Sequence, residues 1–184
     1  MIKLHTMKAL KIIGPIIGVI VVVILIMAAL QPSEYLVARE MEMLAEPAAV
    51  FAHVNNVKKT DEWMAWKDMD PAVQSSYEGP EAGVGAVSKW ESTGDMGTGR
   101  AEVIESIPNE RVRTRVSYVK PMQMEQISEI TLTPKGDATV VRWSVTGKNS
   151  FPGRVMCMFM NMDKMVGGMF EKGLAKLKAK VESK

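Results

Sequence analysis

Few residues of this chain have the types and spacing that chemistry demands. The histidines are His5 and His53, and the one cysteine is Cys157. A Ser-His-Asp or Cys-His device needs an imidazole beside its nucleophile. His5 precedes a long apolar run, and His53 sits in a short helical stretch between Phe51 and Val54. A surface imidazole is the simpler reading of His53. Cys157 cannot form an internal disulfide. It lies among Val155, Met156 and Met158, which suits a small buried hydrophobe better than a reactive thiolate. Cys and His at metal-ligand spacing are missing. The run GVG at 83–85 lacks the lysine and the following helix of a phosphate loop, and Gly83 and Gly85 are expected to shape a turn and strand start. No metal site and no cofactor is therefore expected.

Asp163 is the one carboxylate that could do acid–base work. It comes four residues after Phe159 and three before Val166, on or beside the apolar stripe of a helix. Facing an apolar cavity, its pKa would rise and it could act as general acid or base. At the edge of the stripe it would instead pair with a cation, such as an arginine of the sheet, and that is the more ordinary outcome. Arg111, Arg113 and Arg115 alternate along one strand. The opposite face carries Val112, Val116 and Tyr118, so the arginines are expected to form a solvated stripe paired with acids such as Glu102 or Glu129.

Those residues need elements to position them. From Tyr35 apolar residues alternate with polar ones, the pattern of a half-buried strand. Pro47 opens a short helix with Val50, Phe51 and Val54 on its apolar side. A second short helical or irregular segment carries Trp63 and Trp66. Core packing and a place at a cavity mouth are both open to these two rings. Six strands follow, over 73–78, 83–91, 99–107, 111–119, 125–133 and 138–146, with turn residues between them. After Phe151-Pro152-Gly153 a long helix is expected to run to the end. The class is α+β: a seven-stranded antiparallel sheet, two short helices after its first strand and one long terminal helix.

The terminal helix is unusual. Six of the sixteen methionines fall between 156 and 169, and Gly167-Gly168 interrupts it. Methionine adapts to irregular apolar shapes. Two glycines cost about 1 kcal/mol each in a helix unless something approaches the backbone there. A wall of Trp63, Trp66, Phe159, Met162, Val166, Phe170 and Leu174 around a pliable cavity is the expected site. A loosely packed core is the alternative.

The stretches GPEAGVGAVSKWES, VIESIPNERV, LTPKGDATVVRWSVTG and FPGRVMCMFMNMDKMVGGMFEKGLAKLK resemble the SRPBCC, or START-like, superfamily. More narrowly they resemble its polyketide cyclase/dehydrase-like branch. The resemblance covers Glu34 to Lys180. It implies a helix-grip fold, a curved sheet wrapped around the C-terminal helix with a cavity between them. For function it implies a domain that holds a lipid or other hydrophobic small molecule. A cyclase/dehydrase-type enzyme, with Asp163 as its weak catalytic candidate, is the alternative. An interaction domain like the chaperone regulators is the third.

Ahead of that domain, Ile12 to Leu30 is a run of nineteen residues without a charge. At about 1.5 Å per residue it would reach roughly 28 Å, close to the hydrocarbon thickness of a bilayer. The run exceeds the apolar part of a signal peptide, and bulky Leu30 follows Ala28-Ala29. The expected organisation is a cytoplasmic N-terminus and single-pass transmembrane anchor over 1–31, then the ligand-binding domain over 34–184. Lys3, Lys8 and Lys11 precede the span, and Glu34, Glu40, Glu42 and Glu46 follow it, so the domain is expected on the extracytoplasmic side. Without the first 31 residues the chain keeps 20 of its 23 basic residues against 21 acids, a net charge of −1. Such a domain is a poor partner for nucleic acid.

Overall fold

Alternating burial along Tyr35–Met43 follows from the period-two pattern, and it sets the first strand, β1 (Glu34–Met43), into a sheet. The computed structural model describes residues 2–94, 96–121 and 123–183, with side chains described from residue 14 onward. Its first element is the helix α1 (Ile2–Leu30). After β1 come α2 (Pro47–Val54), α3 (Val57–Trp63) and a 3-10 turn over Ala65–Asp68. Pro47 starts α2 where a missing N–H costs nothing. Asn56 starts α3, its side-chain oxygen accepting from the backbone N–H groups of Lys58 and Lys59.

The remaining strands are β2 (Gln74–Glu78), β3 (Val87–Glu91), β4 (Thr98–Ile107), β5 (Arg111–Lys120), β6 (Met124–Lys135) and β7 (Ala138–Lys148). They join β1 in one antiparallel sheet of order β1-β7-β6-β5-β4-β3-β2. Register shifts at Thr98/Gly99 and Val103/Glu105 mark bulges, which bend a sheet and increase its twist. The strand expected over 83–91 is shorter than its sequence pattern. Gly83 and Gly85 have φ of 79° and 86°, a left-handed backbone that turns the chain before β3.

The expected long terminal helix is two helices, α4 (Phe151–Cys157) and α5 (Met162–Glu182). Gly167-Gly168 lies inside α5 and does not end it; the break is at residues 158–161. The chain divides into two compact units. One is Tyr35–Lys148 with Met162–Lys184, and the other is Met1–Glu34 with Asn149–Asn161. In the larger unit α5 lays Phe170, Leu174 and Leu177 into a buried cluster with Val37, Val103, Val112, Ile130 and Trp143. These strand residues define the inner face of the sheet. On the outer face Arg111 and Arg113 reach Glu105 at 2.7 and 3.1 Å, Arg113 reaches Glu129 at 3.3 Å, and Arg115 reaches Glu125 at 3.8 Å. The arginine stripe is the solvated one that its spacing suggested.

In the smaller unit the apolar side chains of α1 from Ile16 to Leu30 are mostly exposed. Among the described residues no helix is long and apolar enough to cross a membrane. The expected span at Ile12–Leu30 falls on α1, but the side chains of Ile12 and Ile13 lie outside the described residues.

Candidate functional site

The space between α5 and the middle of the sheet is filled. Trp143 stacks on Phe170 with centroids 4.0 Å apart and planes 13° from parallel. Trp63 meets Trp143 edge-on at 5.3 Å. Both geometries are favourable for aromatic pairs. The Trp143 indole N–H donates to Ser128 Oγ at 2.9 Å, so its one polar atom is satisfied. Gly173 faces this indole, and a Cβ there would stand 3.0 Å from Trp143 Cζ3. Trp63, Phe170 and Leu174, expected around a cavity, are core residues with almost no exposed surface. Trp66 and Val166 pack half-buried against that core. Met162 is half-buried at the start of α5. Phe159 belongs to the smaller unit and is 71% exposed.

Asp163 stands 64% exposed at the first turn of α5. The guanidinium of Arg39, on β1, donates to both of its carboxylate oxygens at 3.1 and 3.0 Å and to its backbone carbonyl at 3.1 Å. It also donates to Glu171 at 2.7 Å. The hydrogen bond from Arg39 holds the Asp163 carboxyl below the usual carboxylate range. A general acid near neutral pH needs the opposite shift. Gly167 explains how Arg39 gets there, since a Cβ at that position would overlap the guanidinium carbon at 2.3 Å. The glycine in the helix is a seat for an arginine that ties β1 to α5. Asp163→Asn is therefore expected to leave binding of an apolar fluorescent probe within a few-fold of wild type. A titration of the full-length protein checks this, and abolished binding would contradict it.

The inner face has a second region, at the end where β1 begins and β7 ends. Trp90 pairs with Gly99 across β3 and β4, and Gly99 pairs with Tyr118 across β4 and β5. Val116 pairs with Gln126, which pairs with Gly147. Paired residues share a face, so Trp90, Val116, Tyr118 and Gln126 continue the face that carries Val112 and Trp143. All four are half-buried and not sealed in the core. Two glycines make the seats. A Cβ on Gly99 would lie 2.3 Å from Trp90 Cζ2, and one on Gly147 would lie 2.5 Å from the hydroxyl of Tyr35. Trp90 meets Tyr118 edge-on at 5.4 Å. The Tyr35 hydroxyl donates to Gln126 Oε1 at 2.8 Å, and Gln126 Nε2 donates to the Tyr118 hydroxyl at 3.2 Å. The result is an apolar floor with a phenol–amide–phenol chain along it. Such a surface can stack a flat or extended apolar molecule and offer it a hydroxyl donor.

Burial, with Tyr35 nearby, pushes the Tyr118 phenol up to about 12 from its ordinary 10.0. Folded protein thus keeps this proton across a window in which the unfolded chain releases it. Any stability from this group is present below pH 10 and is lost as pH rises towards 12. Subtracting the alkaline absorbance titration of Tyr118→Phe from that of wild type is expected to isolate a phenolate transition near pH 12. A midpoint near the ordinary value would contradict this burial.

An open groove of about 430 Å³ is lined by Lys58, Asp61, Glu62, Lys67, Asp68, Tyr77 and Lys176 among others. Its charges are paired: Lys67 meets Asp61 at 3.1 Å, Lys176 meets Asp68 at 2.6 Å, Tyr77 donates to Asp61 at 2.7 Å, and Lys58 and Glu62 meet Glu81 and Lys180 at 2.6 and 2.9 Å. His53 Nδ1 is buried without a partner, and burial lowers the pKa of its ring. Asn149 donates to Cys157 Sγ at 3.6 Å. Among the described residues no three His, Cys, Asp or Glu side chains stand close enough to hold a metal.

Reading the sequence did not single out Trp90, Tyr35 or Gln126 as site residues, and it placed Tyr118 only on the buried face. The available signal was glycine inside a strand, at Gly99 and Gly147, which marks a close approach by another group.

A family model described as polyketide cyclase/dehydrase and lipid transport matches residues 36–182. No curated protein matches the chain. Among solved structures, protein CV1439 from Chromobacterium violaceum is similar at 16% identity and a TM-score of 0.59, over 84% of this chain and 100% of that one. The Aha1 dimer from Colwellia psychrerythraea is similar at 16% identity and 0.57, over 80% and 96%. The major latex-like protein 151 of Panax ginseng is similar at 11% identity and 0.56, over 83% and 100%. At these identities the likeness is one of fold.

Proposed function

The chain belongs to the polyketide cyclase/dehydrase and lipid transport family, and from that premise we propose that it binds a lipid or other hydrophobic small molecule on the open end of its inner face. One observation carries the reading. Trp90, Val116, Tyr118 and Gln126 converge, half-buried, on a face whose other half is packed solid. Close packing around Trp143 confines the ligand to the β3–β6 end. The groups at that end are an indole, phenols, an amide and hydroxyls, which bind and orient. The carboxylate best placed for catalysis by sequence, Asp163, serves an exposed ion pair, so the reading is of binding and not of turnover. Native mass spectrometry of the purified full-length protein tests it. A co-purifying apolar molecule, released on denaturation, is expected. A protein that carries none, and takes up none from a lipid extract, would contradict the proposal.

The anchor is part of the same reading. Nineteen uncharged residues fall within the 29-residue helix α1. Its described apolar side chains are mostly exposed, with Ala28 buried and Ile24 half-buried on one face, an arrangement suited to surroundings that are themselves apolar. The three lysines ahead of the run and the acids after it favour an extracytoplasmic domain.

A further inference from the structure

Residues 149–161 form one compact unit with α1, and the contacts show how. Asn149 N–H donates to the Ser33 carbonyl at 2.7 Å. Arg154 Nη1 donates to the carbonyls of Ala29 and Gln31 at 3.2 and 3.4 Å. Carbonyls at a helix C-terminus have no partner within the helix, and a cation is favourable there. Arg154 thus fastens α4 to the end of α1. Ser150 Oγ accepts from Gly153 N–H at 3.3 Å and caps α4. Beyond α4 the chain turns tightly, with Phe159 N–H donating to Met156 O at 3.0 Å and Met160 N–H to the same oxygen at 3.1 Å.

This fastened segment turns its large apolar side chains outward. Phe151, Met156, Phe159 and Met160 are all exposed, Phe159 at 71%. Leu30, at the end of α1, is 80% exposed. From Asn149 to Asn161 the sequence has no acid, and Arg154 is its one charge. Large apolar side chains left exposed together on one short segment point to a site of interaction. A run of Phe and Met with one cation and no acid matches the boundary between headgroups and acyl chains, where apolar side chains enter and cations meet anionic lipid.

We infer that Phe151–Met160 is a second membrane contact, seated in the lipid interface beside the point where α1 leaves the bilayer. This rests on the reading of α1 as the anchor. The segment holds the end of α1 at the surface and enlarges the membrane footprint from one helix to a helix with a foot.

The test uses the full chain in phosphatidylcholine–phosphatidylglycerol vesicles, in a Cys157→Ser background. Single cysteines at Phe159→Cys, Met156→Cys, Leu30→Cys and the strand-end control Thr133→Cys carry an environment-sensitive nitrobenzoxadiazole label. Nitroxide on the lipid acyl chains is expected to quench the labels at 159, 156 and 30 severalfold more than the label at 133, with aqueous iodide giving the reverse order. If labels at 159 and 156 behave like that at 133 while that at 30 stays lipid-quenched, the foot is wrong and the anchor stands. If the label at 30 is also water-exposed and the chain leaves the vesicles in alkaline carbonate, both fall.

Discussion

Trp143→Ala is expected to destabilise the protein by about 3–5 kcal/mol, the range for removing a large aromatic from a packed core. Three losses combine. The stack on Phe170 at 4.0 Å disappears, as does the edge contact with Trp63 at 5.3 Å. Ser128 loses the donor at 2.9 Å. Collapse around the cavity is limited, because Gly173 already lets the helix sit against the indole. For a domain of this size the melting temperature should fall by roughly 6–20 °C. Denaturant unfolding of wild type, Trp143→Ala, Phe170→Ala and the double variant checks it. The cycle should return a coupling of about 0.5–1.5 kcal/mol for the stacked pair. A loss below about 1 kcal/mol for Trp143→Ala, in the range of ordinary surface substitutions, would mean the helix–sheet space is slack. The ligand would then have room at the middle of the sheet.

Val116→Trp is expected to abolish ligand binding and spare the fold. Val116 is half-buried on the inner face, paired with Ala101 on one side and Gln126 on the other. An indole there would lie over the floor made by Trp90, Tyr118 and Gln126. Aromatic residues are favourable in strands, and the position is open, so overpacking of the kind that penalises a sealed core is avoided. Affinity for a fluorescent fatty acid should drop at least about tenfold, or ~1.4 kcal/mol, with unfolding changed by no more than roughly 0.5 kcal/mol. Val166→Phe, at the edge of the packed layer, is the companion variant. It fills no space that this reading assigns to ligand, so its affinity should stay near wild type. Equal loss in both variants would return the site to the helix.

Most strands were legible because period-two patterning and turn residues act locally. The start of β3 at Val87, four residues after Gly83, was not, because glycines that begin a strand and glycines that turn before one look alike until φ is known. The methionine-rich run misled in two ways. Residues 158–161 contain neither proline nor glycine, so nothing in them announces the end of α4. Gly167-Gly168 does look like a break, yet α5 passes through it, because Gly167 is small for the sake of Arg39, more than a hundred residues away in sequence. The candidate site was hidden for the same reason. Trp90, Tyr118, Gln126 and Tyr35 belong to four strands, and the register that aligns them is a property of the whole sheet. Trp63, Phe170 and Leu174 were visible as apolar residues at useful spacing. Apolarity alone does not separate a cavity wall from a core, and Trp143, which fills the space, comes from β7 on the inner face of the sheet, facing α5.

Photolabelling of the full-length protein locates the bound ligand residue by residue. A fatty acid carrying a diazirine on its chain is bound, irradiated and mapped by peptide mass spectrometry, with excess unlabelled fatty acid as competitor. The reading predicts competed label on peptides containing Trp90, Val116–Tyr118 and Gln126, and little on those containing Trp63 or Phe170–Leu174. Competed label on Trp63 and Phe170–Leu174, or label that excess ligand does not displace, would contradict it.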